Sequence, residues 1–181
     1  MIVIALAGLP GTGKSTLARA LAPVLGAPIL DKDEVRAELF ALHEIDYSRE
    51  QDEACMRAIH DRVAELASRE PQAGPAHVIL DGRTYSRREQ VQALRDLAFR
   101  IGAPLLLVEC TCSEAVALER LAHDAARGGH PAANRGPELY RRLRASADPL
   151  PEPRLLIDTG QTPLAEQVVQ VRVALAALAA D

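Results

Sequence analysis

Apolar and polar positions along the 181-residue chain alternate between two rhythms, and the alternation predicts the architecture. Five short, nearly unbroken apolar runs read as strands buried on both faces: Ile2-Val3-Ile4-Ala5-Leu6, Pro28-Ile29-Leu30, Val78-Ile79-Leu80, Leu105-Leu106-Leu107-Val108 and Leu155-Leu156-Ile157. Between them the spacing lengthens to that of helices. A first helix opens at Thr16-Leu17-Ala18, and a second runs from Asp33 to about Leu42. Cys55, Met56, Ile59, Val63 and Leu66 mark a third, stopped by Pro71-Gln72-Ala73-Gly74-Pro75. Val91, Leu94, Leu97 and Ile101 line a fourth, with Gly102 as its cap. A fifth runs from an N-cap at Ser113 to about Ala126, and a short sixth from Glu138 to Ala147. The last carries Leu164, Val168, Val171, Leu175 and Leu178, a stripe that fits a helix covering a sheet edge better than a coiled coil.

Strands alternating with helices imply a parallel sheet covered on both faces, and such sheets place their sites beyond the carboxyl ends of the strands. The polar residues after each strand are therefore expected to converge: Asp31 and Asp33, Asp81 and Arg83, Glu109 and Thr111, and Asp158. No repeat or linker divides the chain, so one domain over residues 1–181 is expected. The Gly- and Pro-rich stretch Arg127 to Pro137 suggests a lid covering about residues 120–147.

After the first strand stands Gly8-Leu9-Pro10-Gly11-Thr12-Gly13-Lys14-Ser15, a phosphate-binding loop G-x-x-x-x-G-K-[ST] complete at every fixed position. Gly8, Gly11 and Gly13 let backbone N–H groups curl around a phosphate, with Thr12 and Thr16 completing the cradle. Lys14 is expected to reach the β- and γ-phosphates and Ser15 to ligate Mg²⁺. A nucleoside triphosphate is the ligand this loop is built for.

Asp33 and Arg36 stand three apart at a helix start and share a face. Asp33 is placed to take a proton from an attacking hydroxyl, or else to cap its helix, and Asp31 competes for the same catalytic role. Arg36 would hold an anionic group on the acceptor. Asp81 ends its strand where a carboxylate holding Mg²⁺ through water would lie, although an Asp-Gly turn also explains it. Arg83, Arg87 and Arg88 are candidates for the acceptor pocket. Arg120 and Arg127 flank the lid, with Arg135, Arg141, Arg142 and Arg144 nearby, and one of them would stabilise the transferring group. His123 and His130 receive no role.

Composition narrows the classes further. Hydrophobic residues make up 48% and charged residues 25%, as in ordinary globular domains. No run approaches the roughly 20 apolar residues of a membrane span. No secretory signal is recognised, and Cys55, Cys110 and Cys112 are too few for a disulfide framework, so a cytoplasmic location is expected. Cys110-x-Cys112 is read as strand-end packing rather than a zinc site. The net charge of −4 and an aromatic content of 3% weigh against a dedicated nucleic-acid binder.

Together the phosphate loop, Asp31-Lys32-Asp33-Glu34-Val35-Arg36, Val78-Ile79-Leu80-Asp81-Gly82-Arg83 and Tyr47-Ser48-Arg49-Glu50 resemble the small P-loop kinases. That group holds the polynucleotide 5′-hydroxyl kinases, the chloramphenicol phosphotransferase and zeta-toxin group, gluconate kinases and predicted kinases. The resemblance runs nearly the full length. It implies a P-loop NTPase fold with a mostly parallel five-stranded sheet, ATP and Mg²⁺, Asp33 as general base and Arg36 as an acceptor-binding residue. It also implies Asp81 as an active-site carboxylate and Arg120 as a lid residue near adenine and phosphate. Polynucleotide kinases usually carry a second lid arginine four residues on, where this chain has Asp124. The expected reaction is transfer of the γ-phosphoryl group to a hydroxyl of a small molecule. A 5′-hydroxyl of DNA or RNA is the alternative acceptor, and a nucleotide-dependent switch the alternative of another class. A monomer suffices for each.

Overall fold

The computed structural model describes residues 1–70, 73–126 and 136–180. Its five strands are β1 (Ile2–Ala7), β2 (Ile29–Asp31), β3 (His77–Asp81), β4 (Leu105–Thr111) and β5 (Leu155–Asp158). All are parallel, in the spatial order β2-β3-β1-β4-β5, so β1 lies at the centre. The unbroken apolar run of β1 has its reason in the two layers that enclose it. Val3, Ala5 and Ala7 face one core, Ile4 and Leu6 the other, and all five are fully buried.

The first core packs β1 and β3 against α3 (Arg49–Ala67) and α4 (Arg88–Arg100), through Cys55, Ile59, Val63, Leu94 and Leu97. Val35 of α2 (Lys32–Leu39) joins it. The second core packs the opposite face against α1 (Lys14–Leu25) and α7 (Leu164–Leu178), through Leu17, Leu21, Val171 and Leu175. Outside both, α5 (Glu114–Ala126) and α6 (Pro137–Ser146) share a small cluster of Ala117, Leu121 and Tyr140. Leu9 and Cys112 pack against that cluster, so it touches the phosphate loop.

Three elements depart from the sequence reading. β4 continues past Val108 to Thr111, because Cys110 and Thr111 pair with Ile157 and Asp158 of β5. Glu109 is therefore inside a strand, not after it, and it pairs with Arg154 while lining a cavity beside Gly8 and Leu9. Asp158 is exposed and accepts a hydrogen bond from the Gly160 amide, a turn role. The cap of α2 is Asp31, whose carboxylate accepts from the amides of Asp33 and Glu34, and this frees Asp33 from capping. Arg127, His130 and Arg135, with most of the expected lid loop, lie outside the described residues. No helix among the described residues is long and apolar enough to cross a membrane.

Candidate active site

The site begins with backbone geometry. Gly8, Gly11 and Gly13 have φ of 134°, 76° and 82°, a region that side-chain-bearing residues avoid. Space excludes a side chain as firmly. A Cβ on Gly8 would stand 2.2 Å from the Cys110 carbonyl oxygen, and one on Gly11 2.5 Å from that of Ala117. The loop is thus pressed against β4 and α5, which leaves no room for side chains at Gly8 and Gly11. Gly13 leads into α1 without a side-chain cap, so the first-turn amides are left to an anion. Lys14 is buried and its Nζ donates to the carbonyls of Gly8 (2.9 Å) and Leu9 (2.8 Å). Its ammonium is held over the loop where a β,γ-bridging phosphate oxygen would lie.

Thr159, after β5, fastens this loop to its surroundings. Its hydroxyl donates to the Thr12 carbonyl at 2.9 Å, and its amide donates to the Thr111 carbonyl at 2.8 Å. Arg120 of α5 donates to the Thr159 hydroxyl (3.0 Å) and carbonyl (2.9 Å), and to the Gly11 carbonyl (3.4 Å). Arg120 thus stands beside Gly13 and lines a cavity with Thr16.

On the other side, β2 and β3 bring Asp31 and Asp81 into register at the carboxyl edge. Burial pushes the Asp31 carboxyl above the ordinary carboxylate range and Asp81 pushes it further, against the two amides that stabilise its charge. Asp81 is 3% exposed, and its Oδ1 has no protein partner among the described residues. An orphaned buried carboxylate oxygen next to a phosphate loop is the donor a hard, water-carrying cation requires. Asp81 and Ser15 therefore fit Mg²⁺, and the glycine cradle with Lys14 fits a triphosphate.

Beyond Asp81 lies a cluster of cations. Arg36 is 3% exposed and donates to Asp33 at 2.7 Å, the pairing that their i, i+3 spacing predicts. Asp52 of α3 binds Lys32 at 2.7 Å and Arg83 at 2.7 Å, with Arg36 at 3.9 Å. Burial raises the Asp52 carboxyl, but the charges of Lys32 and Arg83 outweigh it and leave the group below the ordinary carboxylate range. Two tyrosines adopt left-handed backbone conformations, Tyr47 at φ 55° and Tyr85 at φ 52°. Each offers its ring to an arginine: Arg36 lies 4.8 Å from the Tyr47 centroid and Arg83 5.9 Å from that of Tyr85. Nε of both arginines is buried without a partner among the described residues. The Gly8 amide donates to the Thr84 carbonyl, which joins this half of the site to the phosphate loop.

The sequence-derived candidates thus divide. Asp31, Asp33, Arg36, Asp81 and Arg83 gather beside the loop, whereas Arg87 and Arg88 are exposed at the start of α4. Arg141 and Arg144 pair with Glu114 and span the gap between α6 and α5. Lys32, Asp52, Tyr85, Thr159 and Gln167 went unforeseen. A further cavity of about 270 Å³ opens beside Gly8 and Leu9, between Thr84, Cys112, Tyr140 and Asp148.

The model of the AAA domain family (AAA_33) matches residues 3–149. Among curated proteins, the cytidylate kinase of Pyrobaculum islandicum is 35% identical over 82 residues, 45% of this chain and 44% of that one. The shikimate kinase of Mycobacterium ulcerans is 37% identical over 90 residues, 44% of this chain and 49% of that one. The chain spans just under half the length of these curated relatives. Likeness to solved structures runs the full length. A candidate kinase from Chloroflexus aurantiacus superposes with a TM-score of 0.75 at 25% identity, covering 98% of this chain and 97% of that one. A gluconokinase from Sinorhizobium meliloti gives 0.69 at 27%, covering 98% and 93%. The chain belongs to the AAA domain family, and its build is that of a small P-loop kinase.

Proposed function

We propose that this protein transfers the γ-phosphoryl group of ATP to a hydroxyl of a small acceptor that carries an anionic group, with Asp33 as general base. The observation behind this reading is the pair of half-buried Asp33 with buried Arg36, within a cluster that also holds Lys32 and Arg83, beside a phosphate loop. A carboxylate that is not capping its helix is available to act on a proton. Two guanidinium groups held beside the loop supply forked donors suited to an anionic group on the acceptor.

Each residue then has a task. The amides of the loop and of the first turn of α1 would bind the phosphate oxygens, and Lys14 would exchange its loop carbonyls for the β- and γ-oxygens. Ser15 and Asp81 would hold Mg²⁺, directly and through water. The bound ion supplies neutralisation of the charge spread over the transferring group. Asp33 would accept the proton of the attacking hydroxyl, while Arg36 and Arg83 fix the acceptor through its anionic group. Asp31 would act through its cap on α2, which aims Asp33, so Asp33 is preferred as the base. Arg120 would serve the nucleoside end. A gluconokinase and a shikimate kinase among the similar proteins support a hydroxyl acceptor, and a cytidylate kinase keeps nucleoside monophosphates in the test.

The test uses γ-labelled ATP with gluconate, shikimate and glycerate, each beside its neutral counterpart, with nucleoside monophosphates, and with a 5′-hydroxyl oligonucleotide. Label should pass to an anionic small hydroxy compound and not to its neutral counterpart. Asp33→Asn should lower that transfer by about 100-fold or more while ADP still binds, because a base acts on chemistry rather than binding. Label on the oligonucleotide or on a nucleoside monophosphate would replace this reading. Wild-type turnover in Asp33→Asn would remove the base.

A further inference from the structure

The phosphates of a bound nucleotide fix the side of the loop on which its base must lie. Helix N-terminal amides and the Lys-Ser pair take the β- and γ-phosphates, so the nucleoside extends past Gly13 along the first turn of α1. In that direction a cavity of about 250 Å³ is lined by Thr16, Arg120, Thr159, Leu164 and Gln167. Its walls differ in kind. The Arg120 guanidinium is bonded to Thr159 twice and to Gly11 once, which fixes its plane as a platform for an aromatic ring. Leu164, 39% exposed, supplies an apolar wall.

Gln167 is the unexpected member. It is 5% exposed, and the other buried positions of α7 are Val171 and Leu175, four and eight residues further along the same face. An amide in such a row needs partners for both of its ends. Its Nε2 donates to the Thr162 carbonyl at 2.7 Å, which fixes the orientation of the amide and leaves Oε1 as the end available to a ligand.

We infer that Gln167 selects the base: Oε1 accepts a hydrogen bond from the exocyclic 6-amino group of adenine and rejects 6-oxo purines. A guanine or hypoxanthine carbonyl would meet Oε1 oxygen to oxygen. Turning the amide over to suit them would set Oε1 against the Thr162 carbonyl and break the 2.7 Å bond. The inference rests on the proposed nucleotide site but on neither Asp33 nor the acceptor.

Equilibrium competition against a fluorescent ADP, in the presence of Mg²⁺, tests it without any turnover. The competitors are ADP, IDP and inorganic tripolyphosphate, on wild type and on Gln167→Met, a variant of nearly equal size. Wild type should bind ADP about tenfold or more tighter than IDP, the scale of one well-made or frustrated buried hydrogen bond. Gln167→Met should bring that ratio to within about twofold, with tripolyphosphate affinity unchanged. A role confined to packing would weaken all three competitors and leave the ratio intact. Equal binding of ADP and IDP by wild type, or an unchanged ratio in the variant, would overturn the assignment. Should the variant not fold, wild type with 6-chloropurine riboside diphosphate decides, since that base has no donor at the critical position. Weak binding supports the inference, and binding as tight as ADP ends it. Tripolyphosphate bound without base preference would sink Gln167 alone, whereas failure of all competitors would sink the nucleotide site and this inference with it.

Discussion

Replacing Asp52 by asparagine removes one negative charge from the only carboxylate that touches Lys32, Arg36 and Arg83 among the described residues. At a dielectric of about 20, the contacts at 2.7 Å amount to about 6 kcal/mol each and the one at 3.9 Å to about 4 kcal/mol. Most of that gross attraction is offset by the desolvation of four charged groups. Breaking a buried ion pair by removing one partner costs about 3–5 kcal/mol net. Here the Asp52 side chain is 24% exposed, and Arg36 keeps Asp33, so the expected loss is smaller, about 2–3 kcal/mol. In a chain of this size that lowers Tm by about 5–10 °C. Urea unfolding at pH 7 measures the free energy directly, and a double-mutant cycle with Arg83→Gln isolates the pair, with about 1 kcal/mol or more of coupling expected. The sign of the pH dependence is fixed. The folded carboxyl lies below its ordinary value of 3.8, so its contribution is present above that value and disappears as pH falls through the lower folded one. The gap between wild type and Asp52→Asn should therefore be constant from neutral pH down to about 5 and close in more acid solution. A loss within about 0.5 kcal/mol of zero at pH 7 would refute the hub and reduce these contacts to surface pairs.

Gly11→Ala should abolish ADP binding and lower Tm by several degrees, because its Cβ meets the Ala117 carbonyl oxygen at 2.5 Å and its φ is 76°; a variant that binds ADP normally by calorimetry would count against the rigid cradle. Lys14→Ala should weaken ADP about tenfold or more in the same titration, as loss of a charge-assisted contact does. Asp31→Asn keeps the cap of α2 and relieves repulsion with Asp81. In the absence of Mg²⁺ it should raise Tm at pH 7 by about 2 °C, with the gain shrinking as the wild-type carboxyl protonates on the acid side. A gain that grows toward low pH would reverse the assigned electrostatics.

What was legible in the sequence is what is encoded locally. The phosphate loop was readable because its glycines, Lys14 and Ser15 specify backbone conformation within eight residues, with strand and helix flanking them. The Asp33–Arg36 pair followed from helix geometry, and Asp81 from the end of an apolar run. Asp52 was hidden in a charged stretch, Arg49 to Glu53, that reads as a solvated helix start. Its partners lie 20 and 31 residues away in sequence and meet it only once α3 packs across β3. Thr159 and Gln167 were equally hidden, although a glutamine four residues before Val171 on a buried face was a signal open to reading. Glu109 misled because the register of β4 with β5 extends the strand further than hydrophobicity alone indicates.

The order of strands also sets which half of the molecule opens first. The phosphate loop hangs from β1, which is hydrogen-bonded on both sides and sealed in both cores. Asp31, Asp33 and Arg36 hang instead from β2, a three-residue strand at the sheet margin with a single neighbour. Amide hydrogen exchange should consequently be slowest beneath the loop and fastest along β2 and α2, a gradient of local opening across one sheet. The two substrates would then meet different kinds of surface. If the proposed function holds, the nucleotide would be seated on the central strand and the acceptor on a marginal one with a single neighbour.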